Sequence, residues 1–385
     1  APGGAAAGVG IGLVGSRPFA SAKRASQGWR RARIAAHFAP RMTDATAPLI
    51  GSGLSGLQKA LPEAKALLAR RLVAAGRTPT LVDFDKHGMR LAPDEKVVLQ
   101  QWLDAGLVTR VAAETRAKDG TVKLLLELRD GKKVETVAMP VGACCVSTQV
   151  GCAVGCRFCA SGLFGVERHL STDEIVEQIV HARRVMRIDR IVFMGMGEPS
   201  HNLDNVMAAV ARIRDEVLIS AKKQTFSTVG GVKPLERMRQ FAVKPCLAWS
   251  LHSANEGKRR ELLPRAHKDP LPEIAAAADA YAREVGTPVQ IEWTMLAGIN
   301  DSDQDVDELC TLLQGVRGYV NFIVYNPVEG LPFAAPSRER IIAMVRAVKS
   351  RGILATIRDS SGPDAEAACG QLRLRDRVQS PPVSS

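Results

Sequence analysis

Apolar runs at residues 191–195, 224–229, 246–251, 289–295, 320–325 and 354–358 alternate with segments of helical periodicity at 203–217, 234–241, 271–285, 302–314 and 337–351. This alternation constrains the fold more than any other feature. Apolar strands that each need a crossover before the next one predict a parallel sheet covered by helices. Helix-end chemistry supports the division. Ser171-Thr-Asp-Glu174 reads as a capping box ahead of a buried face at Ile175, Val176, Ile179 and Val180, Ser302 and Ser337 read as N-caps, and Gly352 sits where a helix stops. From residue 141 onward the count is six or seven strands, an α/β chain built as a partial or full βα barrel. Functional residues of such a barrel gather at the carboxyl ends of its strands.

Ahead of those units, Cys152, Cys156 and Cys159 form a C-x3-C-x2-C loop with Gly151 just before it and Gly155 inside it. The glycines are read as letting the backbone wrap closely around a bound group. Three thiolates on one short loop suit a soft metal or an iron–sulfur cluster. A structural zinc site closes its tetrahedron with four protein ligands, so a set of three leaves one position for a substrate or cofactor. The alternative reading is a zinc knuckle that recruits Cys144, Cys145 or a distant thiol.

Composition removes other classes. With 46% hydrophobic and 24% charged residues the chain is globular, and its 385 residues suffice for one large core with an accessory region. Eight cysteines, scattered singly outside the loop, fit a reducing compartment and metal work better than a disulfide framework, so the expected location is the cytoplasm. No apolar run reaches the length of a membrane span. The net charge of +12 fits a polyanion such as RNA, and equally a basic surface that serves solubility. Residues 1–43 hold seven of the 52 basic side chains and no acid, which leaves the body only mildly basic. That segment reads as a disordered basic tail: an organellar transit peptide, or sequence upstream of a start at Met42.

Residues 44–118 form an accessory helical lobe in this reading, on apolar positions three and four apart from Leu54 to Leu107. Residues 122–128 and 134–139 flank Arg129-Asp-Gly-Lys, a hairpin signal, and make a short β extension into the first barrel strand. The core runs over 119–376, and 377–385 is a disordered tail.

Several polar groups fall at strand ends. In Gly195-Met-Gly-Glu-Pro199 the glycines would let a ligand's amine and carboxylate approach, and Glu198 offers a carboxylate to an ammonium group. Ser227, Ser250, Leu251, His252 and Asn326 lie at the next ends. Each is also readable as a turn, cap or core residue, so the argument rests on their convergence.

Taken together, Val134-Glu-Thr-Val137, Cys145-Val-Ser-Thr-Gln-Val-Gly-Cys152, Phe193-Met-Gly-Met-Gly-Glu-Pro199, Ser250-Leu-His252, Asn326-Pro327 and Ala367-Ala-Cys-Gly-Gln-Leu372 closely resemble the RlmN/Cfr family. Its members are radical S-adenosylmethionine (SAM) enzymes that methylate C2 or C8 of adenosine in large-subunit ribosomal RNA, some also acting on transfer RNA. The resemblance covers roughly residues 120–375 and implies a partial (βα)6-type radical SAM barrel. It implies a [4Fe–4S] cluster on Cys152, Cys156 and Cys159, and SAM held by Gly197, Glu198, Ser227, Ser250, Leu251, His252 and Asn326. It further implies that Cys369 accepts a methyl group from a first SAM and that a radical formed from a second SAM activates that methyl for addition to adenine. Glu135 then removes the ring proton, and Cys145 resolves the protein–RNA thioether, leaving a Cys145–Cys369 disulfide for later reduction. Implied partners are ribosomal RNA, with transfer RNA as a further substrate, and an electron donor such as flavodoxin or ferredoxin; the protein is expected to be a monomer. The chain departs from the family pattern at Arg358-Asp-Ser-Ser-Gly-Pro-Asp364, where an Arg-Gly-Asp-Asp stretch is usual, and at Ser227-Thr-Val-Gly230 and Pro264-Arg-Ala266. The lobe lacks the family's customary RNA-binding helical motif. Methylation at C2 is the primary expectation, with C8 or a different substrate as alternatives.

Overall fold

In the computed structural model, residues 53–57 and 61–372 are described. The tails at 1–43 and 377–385 lie outside them.

The lobe is helical, as the periodicity predicts. A 3-10 turn at Leu54–Leu57 precedes α1 (Glu63–Ala74), α2 (Leu81–Lys86) and α3 (Pro93–Ala105). The short α2 lacks a sequence-level apolar repeat; its order comes from Asp83, whose carboxylate accepts from the amide and hydroxyl of Thr80 at 3.0 and 2.7 Å. The lobe is tied to the barrel by the Arg70–Glu216 pair at 2.9 Å, with both side chains buried.

The β extension is larger than expected. β1 (Thr109–Arg116), which falls in the segment assigned to the lobe, pairs antiparallel with β2 (Val122–Leu128). β3 (Lys133–Met139) pairs antiparallel with β2 and then with β4 (Ala143–Cys145). The Asp-Gly turn forms as predicted, with Gly131 at φ 77° and the Asp130 carboxylate accepting from the Lys132 amide at 3.1 Å.

A β5 (Gln149–Gly151) and β6 (Val166–His169) hairpin then brackets the cysteine loop, and α4 (Thr172–Val185) follows. The Ser171 hydroxyl accepts from the Glu174 amide, and Ile175, Val176, Ile179 and Val180 are buried, as the capping box predicts. The repeat continues through β7 (Arg190–Phe193), α5 (Leu203–Arg212), β8 (Gln224–Thr228), α6 (Val232–Arg239), β9 (Cys246–Ser250), α7 (Glu256–Leu262), α8 (Leu271–Val285), β10 (Val289–Met295), α9 (Asp303–Leu312), β11 (Gly318–Val324), α10 (Arg338–Ser350) and β12 (Ala355–Arg358). A single π-turn at Ile213–Val217 extends α5. One ten-stranded sheet runs β1-β2-β3-β4-β7-β8-β9-β10-β11-β12, with the strands from β4 onward parallel.

The strands are not uniformly apolar. Ile191, Phe193, Phe226, Leu247, Trp249, Ile291, Trp293, Val320 and Phe322 belong to the core beneath the helices. Their neighbours Thr225, Gln290, Tyr319, Asn321 and Arg358 face a cavity instead. Period-two alternation therefore separates an apolar outer face from a polar barrel interior.

Candidate active site

Two cavities meet at the carboxyl ends of the parallel strands. The smaller, of about 150 Å³, is lined by Cys152, Cys156, Cys159, Gly197, Glu198, Ser227, Ser250, His252 and Cys369. The larger, of about 490 Å³, runs along the barrel interior and is lined by Cys145, Met194, Gln290, Asn321, Arg358 and again Cys369. Cys369 thus stands in the wall between them.

The cysteine loop is folded on itself rather than stretched over a ligand. A Cβ on Gly151, at φ 80°, would lie 2.0 Å from the Gly165 carbonyl oxygen, and one on Gly162 would lie 2.8 Å from the Gly155 Cα. These contacts aim the three thiols at one cavity. Burial, and then the charge of Cys159, pushes Cys152 up to about 12, and burial with both neighbouring thiolates pushes Cys156 well above the ordinary thiol range. Three ionised thiolates in such a space require positive charge among them.

That demand fits an iron–sulfur cluster better than a zinc ion. Among the described residues no three Cys, His, Asp or Glu side chains are spaced to share one ion. Sulfurs about 2.3 Å from a single zinc would have to be nearly in contact, whereas a cluster gives each thiolate its own iron. Cys144 cannot supply a fourth ligand, because it is fully buried in the hydrophobic core. Cys145 lines the larger cavity only.

The β7 exit explains its glycines differently from the sequence reading. A Cβ on Gly195 would sit 2.7 Å from the Val146 carbonyl oxygen, and one on Gly197, at φ 103°, 2.7 Å from the Gln149 amide nitrogen. The space they free is filled by residues 146–149, which hydrogen-bond to this turn through the Thr148 amide to the Met196 carbonyl at 2.8 Å. The packing fixes Glu198. The residue is 4% exposed, and its carboxylate accepts from the amides of Ser200 and Val229 at 3.0 Å each and keeps lone pairs for a cationic ligand.

Ser227 and Ser250 hold their hydroxyls 3.2 Å apart at the ends of β8 and β9. His252 adopts a left-handed backbone, φ 58°, and its ring packs edge-on against Phe158. The Thr294 amide donates to its Nδ1 at 3.0 Å, which leaves the ring proton on Nε2. Burial, followed by the nearby Arg259 charge, lowers the ring to about 3, so the imidazole is neutral at physiological pH. Leu251 does not line the cavity; its carbonyl accepts from Arg259 Nε at 3.1 Å. Asn326 also lies behind the wall, donating to the Cys369 carbonyl at 3.2 Å and to the Ser360 hydroxyl at 2.8 Å.

Around Cys369 the C-terminal segment docks on the cysteine loop. The Ser161 hydroxyl donates to the Leu372 carbonyl at 2.7 Å. Cys145 and Cys369 are both free thiols. Burial, then the Cys369 charge, pushes Cys145 up to about 12, with Arg358 acting in the opposite sense. Glu135 is buried and lines neither cavity. It pairs with Lys123 at 3.1 Å, and that ammonium also donates to the Glu366 carbonyl at 3.2 Å.

Sequence reasoning missed the groups that face inward or come from elements it did not predict. Arg259, on the unassigned α7, is buried and donates to the Val229 and Leu251 carbonyls, tying the ends of β8 and β9 together. Glu292 accepts from Asn321 at 3.0 Å inside the barrel. The signal for it was present: Gln290, Glu292 and Thr294 alternate with apolar residues along β10.

Residues 146–313, from the cysteine loop to the end of α9, match the model of the Radical SAM superfamily. A protein of Chromobacterium violaceum named "Probable RNA methyltransferase" is 46% identical over 70% of this chain and 76% of its own length. One of Pseudomonas aeruginosa with the same description is 47% identical over 70% and 78%. The crystal structure of a radical SAM methyltransferase from Sphaerobacter thermophilus superimposes with a TM-score of 0.73 at 36% identity, covering 84% of this chain and 98% of that one. The chain belongs to the radical SAM methyltransferases. Enzymes of this superfamily use a [4Fe–4S] cluster and SAM, which the three-thiol cavity fits.

Proposed function

We propose that this enzyme methylates an RNA adenosine through a methyl group carried on Cys369, in the manner of the RlmN/Cfr family, with C2 of an adenosine in large-subunit ribosomal RNA as the target. The observation that carries this reading is the position of Cys369 in the wall shared by the cluster cavity and the larger cavity that holds Cys145. A residue there can be served from one side and present its load to a substrate on the other. The relatives' names point to RNA as the substrate class.

When bound, the cluster and SAM supply the methyl group and the one-electron chemistry that an electrophilic ring carbon requires. The chain's own groups do the rest. Cys152, Cys156 and Cys159 hold the cluster. Glu198 and Gly197 take the amino end of SAM, and Ser227, Ser250 and neutral His252 offer hydroxyl and imidazole contacts to its polar groups, with Leu251 and Asn326 shaping the strand ends behind them. Cys369 acts as a nucleophilic thiolate toward the methyl group. Cys145 attacks the Cys369 sulfur of the thioether. The bond from that sulfur to the transferred carbon breaks with its electron pair going to the carbon, which takes up a proton as the methyl group, and a Cys145–Cys369 disulfide is left for reduction. Glu135, paired with Lys123, takes the ring proton. Arg190, Lys222 and Lys223 are exposed on the rim of the larger cavity at the amino ends of β7 and β8 and form no ion pair among the described residues, which leaves them to meet RNA phosphates at that mouth. The proposal takes the enzyme to be a cytoplasmic monomer that receives electrons from flavodoxin or ferredoxin. Among the described residues no helix is long and apolar enough to cross a membrane.

A second reading, C8 methylation or a transfer RNA or other substrate, is favoured by the departure of residues 358–364 from the family pattern, since Arg358, Asp359 and Ser361 of that segment line the larger cavity. Reconstituted protein with labelled SAM and ribosomal or transfer RNA, followed by nucleoside mass spectrometry against both methyladenosine standards, decides between them. Methyl transfer by Cys369→Ala at the wild-type rate would end the methyl-cysteine reading.

A further inference from the structure

On the outer side of the cysteine loop lies a surface groove of about 810 Å³. Cys156 lines both this groove and the internal cluster cavity. A second link runs through aromatic rings: Tyr325, on the wall of the cluster cavity, meets Phe333 of the groove edge-on with centroids 6.1 Å apart. This groove is therefore where the interior site comes to the surface through a ligand cysteine.

Its chemistry is specific. Leu163 and Phe164 are 45% and 47% exposed, an unusual pair of large apolar side chains side by side on the surface. Arg157 and Arg265 flank them, exposed, with no ion pair among the described residues. No Asp or Glu lines the groove. An apolar centre between two unpaired guanidinium groups is complementary to an acidic protein surface that surrounds an apolar contact.

We infer that this groove is the docking face for a small acidic electron-transfer protein, which delivers its electron across the Cys156 backbone and the Phe333–Tyr325 pair. The inference rests on the proposed radical SAM methylation, since only an enzyme whose three-thiolate site cycles through a reduced state needs such a partner. One electron leaves the partner and is taken up at the three-thiolate site, so the partner is oxidised and the site reduced by that single electron. The groove favours a protein over RNA because two cations among six apolar side chains are too few charges and too much hydrocarbon for a phosphate track.

The test is direct binding. Anaerobically purified, cluster-loaded protein is titrated with an acidic flavodoxin by calorimetry, for wild type, Arg157→Glu/Arg265→Glu and Phe164→Ser, with iron content and circular dichroism checking each fold. The expected result is saturable binding that weakens as salt rises, and a loss of about tenfold or more in the charge-reversed protein. SAM cleavage driven by dithionite, which needs no docking, stays at the wild-type rate in both variants. Absence of flavodoxin binding to wild type, or equal affinity in the variants, would overturn the proposal. So would a ribosomal RNA fragment that loses affinity in the variants while flavodoxin does not, which would give the groove to RNA. Failure of dithionite-driven cleavage in wild type would instead strike the methylation reading.

Discussion

The amide of Ala160, one residue past Cys159, donates to the carbonyl of Gly370, one residue past Cys369, at 2.7 Å. More than 200 residues apart in sequence, the cysteine loop and the terminal thiol are built into one wall by this contact and by the Ser161–Leu372 hydrogen bond. The position of Cys369 between two cavities therefore depends on how firmly residues 365–372 are clamped.

Ser161→Ala tests that clamp. Loss of one largely buried hydrogen bond should cost about 1 kcal/mol and leave the Leu372 carbonyl without this partner. Hydrogen exchange should show residues 365–372 opening more often while the barrel strands stay protected. Methyl transfer should fall before SAM binding does.

The glycines after β7 are predicted to be required by packing. Gly197→Ala places a Cβ against the Gln149 backbone at a φ that side chains avoid, and should cost about 2 to 3 kcal/mol in urea unfolding. Gly286→Ala is the control: its φ is 78° with nothing within 4 Å of an added Cβ, so only backbone strain of about 1 kcal/mol is expected. Equal costs at the two positions would show that the contact with Gln149 is unimportant.

Glu177 should make stability depend on pH. Burial raises its carboxyl from 4.5 to about 7, against the amide and hydroxyl of Thr109 that favour the ionised form. Between those values the folded state binds more protons than the unfolded one, so stability is greatest near the lower value and falls as pH rises to 7. The total is about 3 kcal/mol by linkage. Glu177→Gln should remove this slope and raise the melting temperature at pH 8, as thermal scans across the range would reveal.

On the proposed mechanism, in which Cys145 resolves the thioether, Arg358 should control the Cys145 thiol. It is the charge that lowers Cys145 against burial and the Cys369 thiolate. Arg358→Ala removes that help, so less thiolate forms at neutral pH and the protein–RNA thioether should persist. Denaturing gels should show about tenfold more of the covalent adduct at a given time, with the adduct clearing faster as pH rises.

Much of this molecule could be read from the chain alone. Parallel order, helix caps at Ser171, Ser302 and Ser337, the Asp130-Gly131 turn and the cysteine triad are local patterns: a capping hydroxyl, a positive φ or a repeat of period two or 3.6 acts over a few residues, and sequence records it directly. The strand-end residues Glu198, Ser227, Ser250 and His252 were also legible, because a parallel barrel sends every such end to the same rim.

What only the tertiary structure decided concerns pairs distant along the chain. Gly197 is glycine because of Gln149; Glu135 is placed by Lys123; Arg259 serves two strand ends from a seven-residue helix too short to show a periodic face; β1 exists because β2 offers it an edge. Each is set by which backbone arrives alongside, and that follows from closing the core around the whole sheet rather than from any run of neighbours. The same holds for the two cavities that Cys369 separates, since empty space is a property of the packed chain and has no residue of its own to announce it.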